Sequence, residues 1–317
     1  MPRGWQRRAS PNVKARLRCM LRVVGVRIHA MAMYLHDDAV CLRAGDFSET
    51  SQIVALFAKT HGLISAIAKG SKRTGGKSPG AFSGPLDPLC RGEIVFIAAK
   101  HAGELATLTA WNLADPAQYL RRNWRAWLAA QLMAEVTLAV LEPHDPHPEL
   151  FLELQAALLH CHNLRMSAAY LKAALSAAGL QPQLDACRRC GQLLTQMPSD
   201  ASVWFAPAIG GMFCHDCRHN ERAVTTTAPV LRALARLPAP TALQTAPPPA
   251  RPADPVAVLD ALRLLVAQIQ TLSERRLHTA EFLPMICGID RNTGSPDAAG
   301  VLGLAQPAIN STSEPAP

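Results

Sequence analysis

Glu49–Arg73 reads ETSQIVALFAKTHGLISAIAKGSKR. Two apolar runs stand in it, Thr50–Phe57 and Gly62–Ala68, rich in β-branched residues and punctuated by Gly62. Runs of this length and composition are strands. The second empties into a glycine-rich loop, so that Gly62–Ser78 reads GLISAIAKGSKRTGGKS, with Lys69, Lys72, Arg73 and Lys77. Such a loop meets phosphate or is a solvated turn, and the kind of phosphate decides the function. A nucleoside triphosphate would make the chain an NTPase; a nucleic-acid backbone would make it a binding protein.

The phosphate-binding loop of NTPases is G-x-x-x-x-G-K-[ST] between a strand and a helix. Here Gly76, Lys77 and Ser78 fit, but Ser71 stands where the first glycine belongs. The following residues, Pro79-Gly80-Ala81-Phe82-Ser83-Gly84-Pro85, do not carry a helix. Without a helix N-terminus the loop lacks the dipole and aligned N–H groups that hold a triphosphate. The P-loop NTPase is therefore the weaker reading.

Outward from this segment, residues 34–112 continue as short strands: Tyr34–Leu42, Glu93–Ala99 and Glu104–Trp111 join the first two. Five short strands in so little chain suit a small closed barrel, of which the oligonucleotide-binding fold (OB-fold) is one design. From Asp115 the period changes. Asp115 is placed to cap a helix with Pro116 at its first position, and Leu120, Trp124, Leu128, Leu132, Val136 and Val140 recur every fourth residue. Trp124 and Trp127 read as core residues of that face. Further helices are expected over Pro148–Cys161, over Ser167–Ala178 with Gly179 as its stop, and over Val256–Leu277. Between them, residues 238–255 carry seven prolines and read as a linker or loop. The expected organisation is an α+β chain: a basic extension over 1–32, a barrel over 33–112, and a helical domain from 113–185 and 219–285. A cysteine element is inserted at 186–218, and a small, polar, aperiodic and disordered tail spans 286–317.

The net charge of +8 over 317 residues suggests a polyanionic partner, but all of it resides in residues 1–30, which hold eight cations and no acid. That extension is either a basic arm or a start codon set too early, since Met31 and Met33 directly precede the first strand. It has no signal-peptide pattern, and no stretch of about 18 apolar residues marks a membrane span. Only local pattern can then argue for nucleic acid. Residues 59–91 supply it, with Lys59, Lys69, Lys72, Arg73, Lys77 and Arg91 against Asp87 alone. Phe47 and Phe82 lie in loop contexts, where they stack bases or pack. Arg121, Arg122 and Arg125 extend the basic track or line a solvated helix face.

Nine cysteines, an odd and scattered count, fit a reducing cytoplasm. Four form two C-x-x-C pairs, Cys187-Arg-Arg-Cys190 and Cys214-His-Asp-Cys217, with 23 residues between them. Four thiolates make the closed tetrahedral shell of structural zinc. A strand at Val203–Ala206 and a turn at Gly210-Gly211 would bring the second pair back to the first. Arg188 and Arg189 either touch nucleic acid or offset thiolate charge.

The order barrel, helical domain and four-cysteine element resembles the RecO family of bacterial recombination mediators. The likeness is carried by Glu49–Phe57 with His61-Gly62-Leu63 and Ala68–Arg73, and by Gly210-Gly211 before Cys214-His-Asp-Cys217, and covers about residues 33–285. It implies an OB-fold barrel and a cytoplasmic, nucleoid-associated, non-enzymatic protein. Its members bind single- and double-stranded DNA, anneal complementary strands, contact RecR and the single-stranded DNA-binding protein, and help load RecA. By position it implies Lys69, Lys72, Arg73 and Lys77 as DNA contacts and Cys187, Cys190, Cys214 and Cys217 as zinc ligands.

Overall fold

A computed structural model describes residues 33–73, 82–99, 101, 103–198, 200–217, 223–246 and 254–289. The basic extension 1–32, Lys77, and the tail from residue 290 lie outside the described residues.

The strands are β1 (Tyr34–Asp46), β2 (Gln52–Ala58), β3 (Gly62–Ala68), β4 (Arg91–Ile97) and β5 (Ala106–Asp115). They hydrogen-bond in the order β1-β2-β3-β5-β4 and close into a barrel. The β2–β3 hairpin pairs Gln52 with Ala68 and Ala58 with Gly62; β3 then pairs in parallel with β5. β1 runs past the expected Leu42 because its pairing with β2 shifts register between Cys41 and Arg43 and continues to Asp46↔Gln52.

The unbroken apolar character of β2 has a reason in the two-residue strand period. Ala39, Cys41, Val54, Leu56, Ile64 and Ala66 face one buried core with Ile94, Phe96, Leu108 and Trp111. Their alternates Val40, Leu42, Phe57 and Leu63 belong to a second core shared with the helices. Phe57 and Phe151 meet edge-on there, ring centroids 5.7 Å apart. Gly62 allows the closest approach: a Cβ on it would lie 2.1 Å from the Asp145 carbonyl oxygen.

The helical part begins later than expected. Asp115 still pairs with Arg91 in the β4–β5 ladder, and its carboxylate accepts the Ala117 N–H at 2.8 Å. Only one turn, α1 (Gln118–Arg121), follows before α2 (Trp124–Val140), whose cap is Asn123, accepting from the Arg125 and Ala126 N–H groups. Trp124, expected in the core, is 52% exposed, while Trp127 packs against the core. A four-residue repeat rotates about 40° per step on a helix of 3.6 residues per turn. Leu132 and Val136 therefore sit on the buried face, and Trp124 has turned off it.

Next come α3 (Pro148–Leu159) and α4 (Leu164–Ala177). α4 stops as the sequence expects, with Gly179 at φ 71° and the Leu180 N–H donating to the Leu175 carbonyl. A short sheet of β6 (Ser202–Ala206), β7 (Gly211–Phe213) and β8 (Val224–Thr227), in the order β7-β6-β8, carries the cysteine pairs. Its Val203, Phe205 and Met212 lie in the same core as the helices. The sheet is followed by α5 (Ala228–Ala235), α6 (Pro240–Thr245), α7 (Pro255–Ser273) and α8 (Leu283–Ile286).

The proline-rich stretch is not wholly a linker. Thr241 donates through both its backbone N–H and its hydroxyl to the Glu153 carboxylate at 2.7 Å, which anchors α6 on α3; residues 247–253 lie outside the described residues. Asp254 caps α7, which ends at Ser273 rather than Leu277 as Glu274 turns left-handed at φ 55°. Against expectation, α7 is long and apolar enough by length and composition to cross a membrane. Half of that window is buried within the fold, as in any core helix, with Leu259, Leu262, Leu265 and Ile269 in the shared core. Ile286 and Cys287 are also buried, so packed chain runs past the boundary expected at 285.

Candidate metal centre and basic rim

The Sγ atoms of Cys187, Cys190, Cys214 and Cys217 all lie within 4.8 Å of one another. Tetrahedral coordination at the usual metal–thiolate distance of about 2.3 Å separates neighbouring sulfurs by about 3.8 Å. Cys190 and Cys214 are 3.7 Å apart, far beyond a disulfide. Each pair sits on a tight turn: the Gly191 N–H donates to the Cys187 carbonyl, and the Cys217 N–H to that of Cys214. The first pair is tied to the second because the Arg188 N–H donates to the Met212 carbonyl and the Cys214 N–H to the Cys187 sulfur at 3.4 Å.

Electrostatics also suits a cation. Burial works against a Cys187 thiolate, but the backbone N–H groups of Cys190, Cys214 and Arg189 converge on its sulfur and hold the thiol down to about 6. Its hydrogen bond to Cys214 chiefly pushes Cys217 up, to about 12. The Cys187 thiolate is thus favoured while Cys214 and Cys217 are pushed the other way, a conflict that a divalent cation at the centre would relieve. The remaining described cysteines behave differently. Cys41, Cys90, Cys161 and Cys287 are buried apart from this group, and burial raises their thiols.

Gly210-Gly211 does more than turn the chain. Gly210 has φ +61°, and a Cβ there would sit 2.6 Å from Nε2 of the buried Gln268, which donates to the Leu180 carbonyl. A Cβ on Gly211 would lie 2.5 Å from Arg188 Cγ. The stem of Arg188 thus crosses a glycine floor, and its guanidinium donates to Gln183 Oε1. Arg189 is exposed.

The basic loop starts from one rim of the barrel, where Asp46, Gln52 and Ala68 are neighbours in register. Its root is rigid. The Ser71 hydroxyl, 1% exposed, donates to Gln52 Oε1 at 3.0 Å. The Leu86 N–H donates to the same oxygen at 2.9 Å, and Gln52 Nε2 donates to the Leu86 carbonyl at 3.1 Å. The Gly70 N–H donates to Ser51 Oγ, and the Lys72 N–H to the Thr50 carbonyl. Ser71, which breaks the NTPase pattern, is therefore a buried clamp rather than a phosphate cradle. Lys69 and Arg73 are exposed, and Lys72 pairs with Asp46 at 2.9 Å. Phe47, from the adjoining β1–β2 turn, is 60% exposed; Phe82 is partly buried against the barrel core.

The structure thus brings Lys69, Lys72 and Arg73 to one rim and separates them from other cations flagged in the sequence. Arg91 faces Asp38 at 4.0 Å, and Arg121 pairs with Asp87 at 2.8 Å. Ser51 and Gln52 stand in the stretch that carries the family likeness, and Asp46 at an expected turn, but the sequence assigned none of them a role at the site. For Gln52, a polar residue at the head of an apolar strand was the available signal.

Residues 31–117 match the family model for the recombination protein O N-terminal region, and residues 121–281 match that for its C-terminal region. The chain is 28% identical over 274 residues to the DNA repair protein RecO of Synechococcus sp. (strain JA-2-3B'a(2-13)), covering 81% of this chain and 92% of that protein. It is 33% identical over 206 residues to the DNA repair protein RecO of Anaeromyxobacter sp. (strain K), covering 62% and 76%. A third relative, the DNA repair protein RecO of Moorella thermoacetica, is 28% identical over 187 residues, covering 58% of this chain and 66% of its own length.

Proposed function

This chain belongs to the recombination protein O family, and on that premise we propose that it is a DNA-binding mediator of recombinational repair. It anneals complementary single strands and, with RecR, helps load RecA onto DNA coated by the single-stranded DNA-binding protein. The barrel serves as an OB-fold, and the work is binding rather than catalysis. The observation that carries this reading is the clamped basic rim: Lys69, Lys72 and Arg73 on a root fixed by Ser71 and Gln52, beside the exposed Phe47. Cations held in this way neutralise backbone phosphates without reading sequence, and an exposed ring offers a stacking surface. Lys77, outside the described residues, extends the same basic loop in sequence.

Cys187, Cys190, Cys214 and Cys217 hold a structural zinc ion in this reading. Four protein ligands fill a tetrahedral shell and leave no open position for catalysis. The ion locks the β6–β7 hairpin to the Cys187–Cys190 turn.

The deciding experiment is annealing of complementary strands coated with the cognate single-stranded DNA-binding protein. The parent chain accelerates it. The Lys72→Ala, Arg73→Ala double variant anneals slowly and binds all sequences more weakly, with a salt slope lower by about one to two, near 0.7–0.9 per lost phosphate contact. An unchanged slope would reduce the loop to a solvated turn. A clear preference for RNA over DNA of equal length would overturn the repair reading.

A further inference from the structure

Trp124 opens α2 with 52% of its surface exposed. The Arg125 guanidinium carbon lies 5.2 Å from its ring centroid. Arg125 also lines a cavity of about 210 Å³ with Asn123, His162, Leu164 and Ile286. Among the described residues no carboxylate lines this cavity, and Arg122, Arg125 and His162 take part in no ion pair. An exposed indole, stacked by the Arg125 guanidinium that also lines the recess and with the exposed Arg122 two residues before it, is a combination that single-stranded nucleic acid uses. A protein anchor, which also uses Trp and Arg, is the competing reading; among the described residues, the absence of a carboxylate from the recess lining and the lack of an ion pair at Arg122 and Arg125 favour a polyanionic strand. Within three residues Trp124 has Arg121, Arg122, Asn123, Arg125, Ala126 and Trp127 as chain neighbours, of which Arg121 is paired with Asp87.

We propose that the start of α2 is a second contact for single-stranded DNA, in which a base stacks on Trp124 and the flanking phosphates meet Arg122, Arg125 and His162. The inference rests on the nucleic-acid-binding reading above and adds a site separate from the basic rim. A strand long enough to leave the barrel would be held a second time on the helical region.

The test uses the full chain and fluorescence anisotropy with oligothymidylates of about 8 and about 40 nucleotides, the shorter within reach of one small barrel and the longer well beyond it. Trp124→Ala is expected to weaken the longer strand by about five- to 150-fold, the loss of one stacked base, and to leave the shorter unchanged. Trp124→Phe should retain most of the binding. Arg122→Ala with Arg125→Ala should lower the salt slope on the longer strand by about one to two. Because these side chains are exposed, circular dichroism of the variants should match the parent. Unchanged binding of the longer strand, or equal weakening of both lengths, overturns the proposal. If only the Lys72→Ala, Arg73→Ala variant loses binding, the rim stands and this site falls; if the parent binds neither strand, both fall. Loss of binding to an acidic polyglutamate probe with strand binding intact would make the patch a protein-docking surface, and also overturns it.

Discussion

Asp46 and Lys72, 2.9 Å apart at the barrel rim, frame a competition. Asp46 is 70% exposed at its side chain, so the pair contributes roughly 0–1 kcal/mol to the fold. A phosphate entering the rim displaces this carboxylate and meets its repulsion. Asp46→Asn is therefore expected to tighten single-strand binding by about two- to fivefold, a change within roughly 1 kcal/mol, with little effect on melting temperature. Titration at low salt checks it, and equal or weaker binding would show that Lys72 does not contact phosphate. Ser71 illustrates how a single residue separates two chemistries. A glycine at its place would match the NTPase pattern; the serine instead spends its hydroxyl on Gln52. The sequence flagged Ser71 as a departure but could not show its partner, because Gln52 lies 19 residues away and meets it only through the β2–β3 register.

The cysteine hairpin was legible in outline, since C-x-x-C pairs, a strand and Gly-Gly are local patterns. Its third strand, Val224–Thr227, and its burial against the helices were not, because four residues carry too little periodicity to read. That burial raises the expected consequence of losing the metal. The parent chain should contain about one equivalent of zinc, measured by elemental analysis. Cys187→Ser should lose it, replace the sulfur that accepts the Cys214 N–H by a smaller hydroxyl that is a poor zinc ligand, and lower thermal stability as the hairpin opens onto the shared core. A metal-free preparation that melts at the parent temperature would contradict a structural ion. The start of α2 teaches a complementary lesson. The four-residue spacing was read as one face over its whole length, yet the helix rotates the repeat away from the core and leaves Trp124 outside.

The barrel and the helices are joined by one continuous apolar core rather than by a linker alone. Val40, Leu42, Phe57 and Leu63 cross from the barrel wall to Phe151, Leu154 and the α2 face. The Leu63 carbonyl also accepts the His144 N–H at 3.0 Å. Phe151→Ala, at a fully buried position against Phe57, is expected to cost about 3–5 kcal/mol. If the core is shared, barrel and helices lose stability together in one denaturation transition. Two separated transitions, with only the helical one shifted, would show that the two parts are energetically independent.

Local chemistry determined much of this protein directly. Apolar runs between turn signals marked the barrel strands, proline and glycine breaks bounded α3 and α4, helical spacing marked α7, and paired cysteines marked the candidate metal ligands. Each of these signals lies within a few residues, where covalent geometry alone controls it. Tertiary structure decided the rest: which face of β2 meets the helices, why Ser71 is buried, that Thr241 is tied to Glu153, and that Trp124 stands in solvent. Those outcomes depend on registers and packing between segments far apart in sequence. A side chain's partner is then chosen by the space that remains once the cores have closed.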